Sequence, residues 1–133
     1  MKVLLISPVF HGYWRAFEAA LSTLGHDVVT HCYDGNDRIR NALAHRLAGT
    51  AVETRVRRRA TDAAIAALTA VRPDAVLIVK GDALGADWWD AASGTRVRTA
   101  LWLYDELARM GFDDETLRAP HRVFSYSPRD TAA

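Results

Sequence analysis

Pro73-Asp74-Ala75-Val76-Leu77-Ile78-Val79-Lys80-Gly81-Asp82 is the stretch that decides the fold. Five apolar residues stand between a helix-stopping Pro-Asp pair and a polar Lys-Gly-Asp turn. The run is unbroken rather than alternating. That is the pattern of a strand buried on both faces, the habit of parallel sheets. Upstream, Val3-Leu4-Leu5-Ile6 repeats it and ends at Ser7-Pro8. Asp27 to Cys32, with Val28-Val29, reads as the second strand. Val97 to Tyr104, centred on Ala100-Leu101-Trp102-Leu103, reads as the fourth, and Arg122-Val123-Phe124-Ser125 as a shorter fifth.

Helical patterns separate these runs. Trp14, Phe17, Leu21 and Leu24 recur at three and four residues and form one apolar stripe, which Gly25 ends from the C′ position. Asp34-Gly35-Asn36 is turn chemistry, with Asn36 as N-cap of a helix from about 37 to 47 that buries Ile39, Leu43 and Leu47 and breaks at Gly49. A longer helix spans Val52 to Val71. Val52, Val56, Ala60, Ala63, Ala64 and Ala67 share one side, Ile65 and Leu68 lie close by, and Arg55, Arg57, Arg58 and Arg59 crowd its first half. A short helix covers Ala86 to Ala92 and stops at Gly94. Strands alternating with helices predict an α/β fold: a doubly wound, Rossmann- or flavodoxin-like three-layer sandwich on a five-stranded parallel sheet of order 2-1-3-4-5.

The 133 residues suit one domain, 1–133. A net charge of +1 gives no strong attraction to nucleic acid or to an acidic membrane surface. No segment approaches the roughly 20 apolar residues of a membrane span, and the opening apolar run is too short for a signal peptide. Cys32, the single cysteine, has no partner for an internal disulfide, which fits a reducing compartment and a cytoplasmic location. Ser127-Pro128-Arg129-Asp130 has the form of a helix start, with three residues after it. That signal carries the expectation that the parent chain continues.

Ligands of parallel α/β sheets bind at the carboxyl ends of the strands. The candidate residues are therefore those that follow each strand. His11 and Gly12 follow the first. His11 is a candidate general base, and Gly12 allows a phosphate to approach the backbone; the pair reads equally as a turn. Lys80, Gly81 and Asp82 follow the third strand, where Asp82 either accepts from ligand hydroxyls or caps the next segment. Tyr104, Asp105 and Glu106 follow the fourth. Asp105 is either a general base or a helix-start acid, and Trp102 and Tyr104 offer aromatic surface beside it. Ser125 and Arg129 mark the fifth. The Arg55–Arg59 cluster reads as a solvated face. Trp88-Trp89 reads as packing; if exposed, it would mark an interdomain or self-association face. His26 and His31 read as structural, and His45 and His121 have no metal-ligand spacing.

Several rivals fail on their motifs. There is no Gly-x-Gly-x-x-Gly and no Walker A loop. No acidic residue follows the first strand, as a phosphoacceptor domain needs. The first loop is aromatic rather than rich in Ser and Thr, against a flavin phosphate site.

Leu4-Leu5-Ile6-Ser7-Pro8-Val9-Phe10-His11-Gly12-Tyr13-Trp14, with Leu24-Gly25-His26-Asp27-Val28, resembles the opening of GT-B glycosyltransferases of the CgeB-like, spore-maturation kind. Arg72 to Asp82, Ala100 to Glu106 and Val123 to Asp130 are similar to later segments of that group, in the same order. The resemblance implies two facing Rossmann-like domains. This chain would be the N-terminal, acceptor-side half, and its partner the C-terminal GT-B domain. The reaction would pass a sugar from a nucleotide-sugar, bound mainly by that second domain, to a hydroxyl of a small-molecule or glycan acceptor, with no other cofactor and no metal. His11 and Gly12 would lie near the donor phosphates. Lys80, Asp82 and Asp105 would face the acceptor. The chain alone would show little or no transfer. The other reading is a self-standing flavodoxin-like binding or interaction module without catalysis.

Overall fold

The computed structural model describes residues 1–35 and 51–131. The helix expected over 37–47, with Asn36 and Gly49, lies outside the described residues. Within them the chain runs β1 (Lys2–Ser7), a one-turn 3-10 segment (Phe10–Gly12), α1 (Tyr13–Thr23), β2 (Asp27–Cys32), α2 (Ala51–Val71), β3 (Ala75–Val79), α3 (Ala86–Gly94), β4 (Arg98–Leu103), α4 (Leu107–Met110), α5 (Asp114–Arg118), β5 (Arg122–Ser125) and α6 (Pro128–Thr131). All five strands are parallel, in the order β2-β1-β3-β4-β5. The doubly wound α/β sheet expected from the apolar runs is the one observed.

Strand alternation assigns side chains to two faces. Leu4 and Ile6 pair in register with Val76 and Ile78, and Ile78 with Leu101. These residues form the first face, packed under Ala60, Ala64 and Leu68 of α2 and under Trp88, Trp89 and Ala92 of α3. Trp88 is fully buried and Trp89 nearly so. They are packing residues, which removes the possibility of an exposed Trp88-Trp89 association face.

The buried stripe of α2 includes the expected Ala60, Ala64 and Leu68 but departs from the expected one elsewhere. It is Ala60, Thr61, Ala64 and Leu68, whereas Val52 is 42% exposed and Ala63 faces solvent. Thr61 belongs inside because its hydroxyl is doubly used: it donates to the Arg57 carbonyl and accepts from the Gly85 amide, which ties α2 to the start of α3. The arginines Arg55, Arg57, Arg58 and Arg59 are all exposed, as a solvated face requires.

α1 lies on the second face. It ends as the sequence predicts: Gly25 is left-handed at φ 82°, its amide bonds to Ser22 O, and His26 N bonds to Leu21 O. Leu24, expected in the buried stripe, is instead 72% exposed, because it is the cap residue and projects past the last turn. No helix among the described residues is long and apolar enough to cross a membrane.

Candidate functional site

β2 and β3 flank β1, and their connections leave β1 and β3 in opposite directions across the sheet. The crevice between the loops after β1 and β3 is therefore the topological switch point. Both loops are strained in the same way. His11 and Gly12 are left-handed, at φ 50° and 70°, and so are Lys80 and Gly81, at φ 68° and 74°. A non-glycine residue in that region costs about 1–2 kcal/mol, and such outliers concentrate where side chains must be aimed. In each pair the glycine continues the tight turn that the preceding side chain begins.

The β3 loop is held by short backbone bonds. Lys80 N donates to Trp102 O, Gly81 N to Val79 O, and Leu84 N to Gly81 O. This presents Lys80 beside Asp82, with Nζ 3.3 Å from Oδ2. Asp82 thus pairs with Lys80 at the crevice.

Asp34, just past β2, belongs to the same cluster. Its Oδ1 accepts the Val9 amide proton at 2.7 Å, which ties the β2 end to the β1 loop. Burial raises the Asp34 pKa. The Val9 amide and the Lys80 charge work against that rise, and the Asp82 charge adds to it. Next to it Tyr33 is buried in the first-face core, with a pKa pushed well up by burial and by Asp82 and Asp34. Sequence reasoning missed Asp34 and Tyr33. Asp34-Gly35-Asn36 looked like a turn, and only the fold brings it to Val9, 25 positions away.

The raised Asp34 pKa has a testable sign. The folded chain holds that proton more tightly than the unfolded chain does, so ionisation opposes folding and stability falls as pH rises from the unfolded value through the folded one. Asp34→Asn retains an acceptor for Val9 and removes the charge. Its Tm is expected to exceed that of the parent at pH 7, with the gain shrinking to nothing by about pH 3, below an ordinary aspartate pKa. Thermal melts at the two pH values read this directly.

The β4 side forms a second group. Tyr104 meets Tyr13 edge-on, ring centroids 5.2 Å apart, and His11 meets Tyr13 at 6.4 Å. The hydrogen bond with Tyr13 raises the pKa of Tyr104. His11 and Asp105 therefore stand at opposite ends of a tyrosine pair. Asp105 Oδ1 accepts the Glu106 amide and lies 3.7 Å from Arg109. Glu106 is the cap residue of α4. Ser125 is engaged by the fold, since its hydroxyl donates to Asp130 and accepts from Ser127 N. Asp130 in turn accepts the Leu107 amide. Arg129 is exposed on α6. Among the predicted residues, Lys80, Gly81, Asp82, His11 and Gly12 line the switch-point loops. Tyr104, Asp105 and Glu106 flank them, and Ser125 and Arg129 lie farther along the edge.

Other polar features lie elsewhere. His121 is bound to Thr99 through both its amide and its ring Nδ1, a structural role. His26 Nδ1 and His31 Nε2 are buried without hydrogen-bond partners among the described residues, and burial lowers the His31 pKa. One groove, of about 440 Å³, is at the opposite, amino edge of the sheet, lined by Arg72, Asp74 and Arg96 among others. A second, of about 400 Å³, lies between Arg57, Arg58 and the start of α3, where Asp87 supplies counter-charge. Among the described residues no group of three or more His, Cys, Asp or Glu side chains is placed to hold a metal ion. No protein-family model, curated protein or solved structure matches the chain.

Proposed function

We propose that the domain binds a small hydroxylated ligand at the switch-point crevice, as the acceptor-side half of a two-domain glycosyltransferase. The observation that carries the binding reading is the convergence at that crevice of Asp34, tied to the β1 loop, with Lys80 and Asp82 of the strained β3 loop. Two carboxylates offer acceptors to ligand hydroxyls, and the Lys80 ammonium beside Asp82 offers a donor. A carboxylate whose proton affinity is raised by burial is a better proton acceptor near neutrality. In a transfer, such a group would take the proton of the acceptor hydroxyl as its oxygen bonds to the anomeric carbon and the nucleotide diphosphate leaves. The resemblance of the loop sequences to CgeB-like enzymes supports sugar as the ligand class, with the donor held by a second domain.

Saturation-transfer NMR on the 133-residue chain, with a panel of free monosaccharides and nucleotide-sugars, tests the binding step. At least one sugar is expected to give contact signals that are lost in Asp82→Ala and in Asp34→Ala. Silence across the panel would sink the reading. Signals that persist in both variants would move the ligand away from this crevice. Donor turnover by a protein that also carries a GT-B second domain separates a transferase from a binding module.

A further inference from the structure

Among the described residues the second face of the sheet carries one helix where its width calls for two. α1 stands over β1 and β2, with the Thr30 hydroxyl donating to Glu18. Its Phe17 reaches Trp102 edge-on, at 5.6 Å between centroids. Beyond Phe17, β4 and β5 have no helix above them among the described residues. On the first face, by contrast, Met110, Leu107, Phe112 and Leu117 from the β4–β5 connection pack against the core.

Register and alternation write two columns on the open side. β4 contributes Arg98, Trp102 and, just past its end, Tyr104; β5 contributes Arg122, Phe124 and, past its end, Tyr126. Trp102 stacks on Phe124 at 6.3 Å. Phe124 is 47% exposed and Tyr126 59%. A contiguous exposed aromatic surface of this kind marks an interaction site.

Its shape and charge select the occupant. Two adjacent strands, about 5 Å apart and with side chains standing on both, seat one helix of about 10 Å diameter. α1 walls one side of the trough, so a flat sheet from a second copy cannot lie against it. The trough is apolar and aromatic along its length, with both arginines at its amino end. A helix laid antiparallel to the strands puts its C-terminal turn there, where the negative end of its dipole meets Arg98 and Arg122.

We propose that this trough docks an amphipathic α-helix of a partner protein, its aliphatic face on Trp102 and Phe124 and an acidic last turn against Arg98 and Arg122. The inference stands apart from the ligand reading, because that reading rests on Asp34, Lys80 and Asp82, whereas the docking contacts are Trp102, Phe124, Arg98 and Arg122.

Two designed amphipathic peptides of about 14 residues, roughly 20 Å as a helix, test it. They share a leucine face and differ only in a Glu-Glu or Lys-Lys last turn. Each is titrated into the isotope-labelled 133-residue chain and followed through the Trp102 indole and the β4–β5 amides. The acidic peptide is expected to bind about tenfold more tightly, because its last turn attracts the two arginines and the Lys-Lys turn repels them. Joint Arg98→Glu and Arg122→Glu substitution is expected to reverse the preference, and Phe124→Ser to abolish binding. If Phe124→Ser loses its dispersed spectrum, Tyr126→Ser, at an exposed site outside the strand, replaces it and is expected to weaken binding. Equal affinity for both peptides, no saturable shift, or shifts away from β4–β5 overturns the proposal. So does a peptide-free dimer that sedimentation detects and the same variant dissolves, because the occupant is then a second copy.

Discussion

Trp88→Ala is expected to lower the free energy of unfolding by about 3–5 kcal/mol, read from urea denaturation with an unchanged m value. Trp88 has no exposed surface and sits where α3 meets α2 and the first sheet face. Truncation leaves a cavity the size of an indole ring, bounded by Leu101 of β4 and by Ala64 and Leu68 of α2, two elements that cannot close together. Against a typical total of about 5–15 kcal/mol, that is a large fraction of the fold. The indole N–H has no hydrogen-bond partner among the described residues. Trp88→Phe removes that unsatisfied donor while retaining most of the volume, so its cost is expected to be well below that of alanine. Equal losses for Phe and Ala would mean that the indole nitrogen has a partner after all.

Gly81→Ala is the second large effect, at about 2–4 kcal/mol. Two causes add. The residue is left-handed at φ 74°, where a Cβ strains the backbone, and that Cβ would stand 2.9 Å from Ile78 Cγ2 and 3.3 Å from Leu101 Cδ1. Both neighbours are buried core residues with little room to retreat. Gly25→Ala is the control: it has φ 82°, but nothing lies within 4 Å of its Cβ, so only the backbone term remains. The chemical denaturation midpoint is expected to fall about twice as far for Gly81 as for Gly25. A similar drop for both would assign the Gly81 cost to backbone strain alone. Because Gly81 stands between Lys80 and Asp82, its alanine variant should also lose whatever ligand the crevice binds.

The strands were legible in the sequence because a parallel strand announces itself without reference to anything distant. Ala75 to Val79 is apolar throughout and is bounded by breakers on both sides. The end of α1 was legible for the same reason, since Gly25 answers a local need of four orphan carbonyls. The buried stripe of α2 was legible only in part: Ala60, Ala64 and Leu68 were, Thr61 was not. Val52 and Ala63 have apolar side chains, but which side of a long helix is covered depends on where α3 crosses it. Thr61 is buried because a partner amide comes to it from Gly85, 24 residues away. The candidate site divides in the same way. Position after a strand end located His11, Lys80 and Asp82. Asp34 could be recognised only once β2 and the β1 loop were known to meet, and Ser125 reads as a ligand residue until Asp130 is seen to accept its proton.

The sorting of the tryptophans onto opposite sides of the sheet gives the protein two optical populations. Trp88 and Trp89 lie under α2 on the first face, whereas Trp14 on α1 and the half-buried Trp102 lie on the other. A small neutral quencher reaches the second pair and spares the first. Quenchable emission therefore reports on the open trough, and protected emission reports on the core. One fluorescence titration can thus distinguish covering of the second face from loosening of the domain.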